Sequence, residues 1–196
     1  RRPIAPDSLI RSTGTEGLDL LPASTALASL DRQAGRQEGM GLVLKRSLGQ
    51  LTPSYDYALI DCPPVLGVLL INALAACEQL IIPVQTEFLA IKGLERMLHT
   101  LDMVQKSRPT PLPYWVVPTM FDRRTRASVE SLRALRQSFG DHLWPSVIPI
   151  DTRFRDASRA GLPPSVFDPR ARGVAAYNDL LDALQGRAPA PMELAG

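Results

Sequence analysis

Asp61 is the residue whose setting first suggests chemistry. It follows the apolar run Tyr57, Ala58, Leu59, Ile60 and precedes Cys62, Pro63 and Pro64. That order predicts a carboxylate at the end of a buried strand, on a turn stiffened by two prolines. A carboxylate so placed can hold Mg²⁺, usually through water, beside the phosphates of a nucleotide, and a loop limited to a few conformations could sense a phosphate. Asp61 could also simply end a strand, or cap a helix that begins near Leu66.

Arginines form the second group of interest. Arg123, Arg124 and Arg126 make one cluster, Arg153, Arg155 and Arg159 another, and Arg170 and Arg172 a third. Guanidinium groups bind DNA phosphates without reading sequence, and little aromatic interleaving near them argues for salt-sensitive contact with duplex DNA rather than base stacking on single strands. Solvated helix faces are the competing reading. With 22 Lys and Arg against 20 Asp and Glu the net charge is only +2, so any attraction to DNA or lipid must be local. His99 and His142 lie far apart with no ligand-spaced partners, which argues against zinc. Cys62 and Cys77 sit in apolar surroundings and read as reduced thiols of a cytosolic protein. No Gly-x-Ser-x-Gly elbow or dehydrogenase glycine fingerprint occurs, and no apolar stretch is long enough for a membrane span.

The elements that must position these residues follow from periodicity. Short apolar runs at 18–21, 57–60, 80–84, 114–117 and 147–150 read as buried strands. Helical spacing occupies 39–51, 66–76, 91–105, 128–139 and 173–184. Strand and helix alternate, which predicts a doubly wound, mostly parallel α/β sheet with helices on both faces. At 196 residues and 45% hydrophobic content, residues 1–184 suit one domain, with the Ala- and Pro-rich tail 185–196 expected to fray. Ligands of such sheets gather beyond the carboxyl ends of the strands, which directs attention to Asp61, Gln85, Thr119 and Asp151.

The string Tyr55-Asp56-Tyr57-Ala58-Leu59-Ile60-Asp61-Cys62-Pro63-Pro64, with Leu66-Gly67 and Ile71-Asn72-Ala73-Leu74, is more specific than any of these signals. It is followed in order by Ile82-Pro83-Val84-Gln85-Thr86-Glu87, Pro118-Thr119-Met120-Phe121-Asp122, Ile148-Pro149 with Arg153 and Ala157, and Asp168-Pro169 with Arg172-Gly173 and Tyr177. This series closely resembles the ParA/MinD-type partitioning ATPases, in their ParA branch, over about residues 17–184. The segments 69–72, 87–93, 122–125 and 156–161 are similar to the ParC-like subgroup associated with chemotaxis operons, whose members position chemoreceptor arrays.

The resemblance implies a P-loop-type fold that uses ATP and Mg²⁺, a homodimer in the ATP state, nonspecific duplex DNA as a partner, and a ParB-like or chemotaxis-array adaptor protein. It implies a cytoplasmic, nucleoid-associated or polar location. Carried over residue by residue, Asp61 is the catalytic aspartate that holds Mg²⁺ through water, and Pro63 belongs to the nucleotide-sensing loop. Thr119, Met120, Pro149 and Asp151 border the adenine, and Arg124, Arg126, Arg153, Arg155, Arg159 and Arg172 contact DNA. The sequence departs from the family in two respects: it contains no glycine-rich stretch ending in Gly-Lys-Thr, and the family's other aspartate, which follows the second strand and helps align the attacking water, would lie before Arg1. The chain opens on Arg1 without Met, which reads as the carboxyl-terminal two-thirds of a longer protein with negligible ATPase activity on its own. The competing functions are a truncated, catalytically inactive scaffold and a MinD-like membrane-associated regulator. The tail 187–196 lacks the basic amphipathic pattern that the last would use.

Overall fold

The computed structural model describes residues 5–27, 42–51, 54–62 and 67–187. Pro63, Pro64, the openings of the segments expected at 39–51 and 66–76, and the tail beyond Arg187 lie outside the described residues. The chain forms two compact units, Arg1–Gln79 with Thr100–Leu112, and Leu80–His99 with Pro113–Gly196.

In the first unit, β1 (Arg11–Ser12) pairs antiparallel with β2 (Asp19–Leu20), Arg11 opposite Leu20 and Ser12 opposite Asp19. The run at 18–21 is therefore not a buried strand of the parallel sheet, because Leu18 and Leu20 are both about half exposed in a local hairpin. Turn chemistry overrode the apolar run. Thr13 donates its hydroxyl to the Leu18 carbonyl at 2.6 Å, and Gly17 takes the left-handed φ of 73° that closes the loop.

The helices α1 (Val43–Leu51) and α2 (Val68–Ala76) are joined by a buried amide. Asn72 accepts the Leu44 N–H at 3.2 Å and donates to the Val68 carbonyl at 2.8 Å, so a polar side chain in an apolar helix satisfies the opening of its neighbour. The carboxyl end of α2 is met by Arg108, whose guanidinium donates to the carbonyls of Leu74 and Cys77. The strand expected at 57–60 is not formed: Leu59 is 91% exposed, and no described strand pairs with this run. A strand needs a neighbouring edge for its backbone groups, whatever its apolar content.

The second unit is built on β3 (Leu80–Gln85) and β4 (Tyr114–Thr119), parallel and in register from Leu80 opposite Tyr114 to Gln85 opposite Thr119. The crossover is α3 (Phe88–Gln105), as parallel pairing requires. Parallel bridges at Val116–Leu143 and Phe121–Pro149 widen the sheet. The strand expected at 147–150 is reduced to that single bridge at Pro149, which has no N–H for a longer ladder. Four α-helices follow among the described residues: α4 (Arg126–Phe139), α5 (Arg153–Ala160), α6 (Pro164–Phe167) and α7 (Arg172–Leu184).

Adjacent valines on β4 separate two cores. Val116 packs with Ile82, Val84, Leu94 of α3 and Leu135 of α4, whereas Val117 packs with Trp144, Ile148, Ala176 and Leu180 on the α7 side. Alternation along one strand thus puts helices on both faces, the α/β arrangement expected. Each such aliphatic side chain contributes about 1.5–3 kcal/mol on burial. Among the described residues no helix is long and apolar enough to cross a membrane.

Candidate functional site

The carboxyl ends of β3 and β4 are fastened by a buried hydroxyl pair. Thr86, just after β3, donates its N–H to the Thr119 carbonyl at 3.1 Å. Its hydroxyl meets the hydroxyl of Ser128 at 2.6 Å, and both residues are buried. Ser128 Oγ also accepts the Asp122 N–H at 3.1 Å, while Thr125 caps α4 by accepting the Ser128 N–H. One hydroxyl pair therefore links β3, the loop after β4 and the start of α4. Asp122 grips Arg124 with both oxygens, at 2.9 Å to Nε and 2.7 Å to Nη2, and also accepts the Arg124 N–H. The Arg124 side-chain hydrogen bonds lead in lowering the Asp122 pKa to about 2.

Within this fastened loop, Met120 has a φ of 54° and is about half exposed. Among the described residues it is the one non-glycine with a positive φ. The left-handed region costs an L-residue about 1–2 kcal/mol, and such strain gathers at functional sites. The next residue, Phe121, lies opposite Pro149, donating its N–H to the Ile148 carbonyl and accepting the Ile150 N–H, each at 3.1 Å. Thr119 and Met120 are thereby brought beside Pro149. Asp151 follows immediately, its carboxylate accepting the backbone N–H groups of Arg153 at 3.0 Å and Gly173 at 2.9 Å. The Gly173 bond is the largest cause of its lowered pKa.

Four of the candidate nucleotide residues, Thr119, Met120, Pro149 and Asp151, thus share one edge of the second unit. Asp61 belongs to the first unit and is exposed. Among the described residues no group of three or more His, Cys, Asp or Glu could cage a metal. Asp61 suits a Mg²⁺ held chiefly by water and phosphate, which needs only one or two protein carboxylates. The 119–121 and 148–151 edge suits a base, offering backbone at strand ends and an apolar Met120 side chain. The residues present therefore fit the magnesium aspartate and the base side of a nucleotide.

The arginines divide. Arg124 is paired with Asp122, Arg126 with Glu130 at 2.6 Å, and Arg153 with Asp168 at 3.2 Å. Arg155, Arg159 and Arg172 are exposed and make no ion pair within 4.0 Å among the described residues. Cys62 and Cys77 are half-buried, and burial leads in pushing both thiols up, which suits unreactive cysteines. Sequence reasoning missed the Thr86–Ser128 pair and Gly173. The spacing of Thr125 and Ser128 signals a helix start, and a glycine in the first turn of α7 signals close approach, but neither names its partner.

A parallel sheet covered on both faces by helices is an α/β arrangement of the P-loop NTPase-like kind. A family profile described as an AAA domain matches residues 4–112. The sporulation initiation inhibitor protein Soj of Bacillus subtilis is 39% identical over 173 residues, covering 88% of this chain and 68% of that protein. The chromosome-partitioning ATPase Soj of Treponema pallidum is 34% identical, covering 92% and 72%. Among solved structures, cobyrinic acid a,c-diamide synthase from Mycobacterium smegmatis with bound ADP and magnesium superposes with a TM-score of 0.72 at 28% identity, covering 98% of this chain and 73% of that one. The chain belongs to the ParA-type partitioning ATPases.

Proposed function

We propose that this chain supplies the base side and the magnesium aspartate of an ATP-dependent partitioning protein. In this reading the protein dimerises on ATP, rests on duplex DNA without reading its sequence, and positions a cargo in the cytoplasm through an adaptor protein. The cargo is a chromosome, a plasmid or a chemotaxis array. The observation that carries the reading is the pairing of the 119–121 and 148–151 segments beyond the ends of parallel strands, with Met120 held in a strained conformation at their meeting. Thr119, Met120 and Pro149 border the adenine, while Asp61 holds Mg²⁺ through water and Pro63 follows it in the sensing loop. Of the six DNA-contact candidates, Arg155, Arg159 and Arg172 are best suited, because Arg124, Arg126 and Arg153 are each paired with a carboxylate that a phosphate would have to displace.

The test is anisotropy of a labelled random-sequence duplex with the full-length gene product, with and without Mg²⁺-ATP, across a salt series. Binding is expected only with ATP, and replacing Arg155, Arg159 or Arg172 by alanine should flatten the log–log salt slope by about 0.9 for each phosphate no longer neutralised. Duplex binding indifferent to ATP, or a slope unchanged in all three variants, would overturn the reading.

A further inference from the structure

The geometry points to Asp151 as a positioning residue: its carboxylate ties the amino ends of α5 and α7 to the edge at Pro149, and so sets where a base can sit without touching it. This rests on the reading of that edge as the base side of the nucleotide site. The cap residues of both helices, Thr152 for α5 and Ala171 for α7, provide no side-chain hydrogen bond of their own. Asp151 serves both helices, one oxygen accepting the Arg153 N–H at 3.0 Å and the other the Gly173 N–H at 2.9 Å, across 22 residues of sequence. A negative group at two helix openings satisfies otherwise orphaned donors and meets both positive dipole ends.

The close approach is possible because position 173 has no side chain. A Cβ there would stand 2.6 and 2.9 Å from ring atoms of Phe154 and 3.2 Å from the Asp151 Cβ. Phe154 in turn lies 5.8 Å, centroid to centroid, from the Tyr177 ring, one turn further along α7. Arg153 reaches Asp168 at 3.2 Å, in the loop leading into α7, so α5 holds both that loop and the opening of α7. Arg172 is among the cations that lower the pKa of both Asp151 and Asp122, so its charge acts on the loops at either side of the candidate site. From Asp151 the connection passes through the Ile150 N–H to the Phe121 carbonyl, and so to Met120. Loosening the carboxylate frees Pro149 to move relative to Met120.

The experiment uses the full-length gene product and its Asp151→Asn and Asp151→Ala variants. Dissociation constants for ATP and for inorganic triphosphate are measured in magnesium, with Tm recorded alongside. Only ATP carries a base, so the ratio of the two constants isolates the base edge. Asp151→Ala, which removes both accepting oxygens, is expected to weaken ATP at least about tenfold relative to triphosphate. Asp151→Asn keeps one accepting oxygen and should recover most of the ratio. A lower Tm in both variants with an unchanged ratio would make Asp151 a helix cap and nothing more, overturning the proposal while leaving the nucleotide reading intact. A wild-type protein that binds ATP no better than triphosphate would remove the base site itself, and the positioning role with it.

Discussion

Asp122 shows how a single carboxylate acquires its properties from its neighbours. Both of its oxygens are engaged by Arg124, and Arg172 adds a weaker field, so the charged form is favoured and the pKa falls to about 2. A depressed pKa adds stability that is fully present above the ordinary carboxylate value of about 3.9 and disappears as the pH falls through the folded-state value. The contact should therefore persist at pH 4 and break only between about 4 and 2. Carboxyl-carbon NMR titration of Asp122 checks this, and Arg124→Ala should move the midpoint back toward the ordinary range. A midpoint near 4 in the wild-type chain would show that the fork does not form in solution. Asp61 and Asp151 were both expected as acids at strand ends, but no strand forms at 57–60 and only one bridge at Pro149, and the two settings differ: Asp61 is exposed, while Asp151 is engaged by two backbone amides.

At the scale of elements, the approach of α7 to α5 depends on one missing methyl group. Gly173→Ala places a Cβ against the Phe154 ring, an overpacking that should cost about 1–3 kcal/mol in urea unfolding. Replacing Phe154 by leucine in the same protein should relieve most of that cost, whereas a strictly additive double mutant would refute the clash. The longer helices α3, α4 and α7 were readable from their spacing because each buries an apolar stripe, as α4 does with Leu132 and Leu135, whereas the short α5 and α6, which bury Ala157 and no residue respectively, were not. The strands were readable only where a partner edge exists. The runs at 80–84 and 114–117 pair over six residues, 147–150 contributes one bridge, and 57–60 pairs with no described strand. Apolar content identifies a segment able to join a sheet but does not provide the neighbour.

Across the whole molecule the same contrast predicts where substitutions matter. Leu135 of α4 is fully buried against the sheet and Leu94 of α3, and Leu135→Ala should cost about 2–5 kcal/mol. Leu59 is 91% exposed, and Leu59→Ser in the 196-residue chain should fall within about 0.5 kcal/mol of the parent. Denaturant midpoints of the two variants check both expectations, and a large destabilisation at Leu59 would mean that the 57–60 run is paired after all. Family membership was carried by the amino-acid sequence, because separated motifs in a fixed order persist where one motif would not discriminate. So was the alternation of strand and helix, which follows from local hydrophobic period. The tertiary structure alone decided that Thr119, Met120, Pro149 and Asp151 share an edge, that Arg124, Arg126 and Arg153 are paired with carboxylates, and that Gly173 donates its N–H to the Asp151 carboxylate. These are contacts between segments, and a periodic pattern constrains each segment's own conformation without naming the residue from elsewhere in the chain that will meet it.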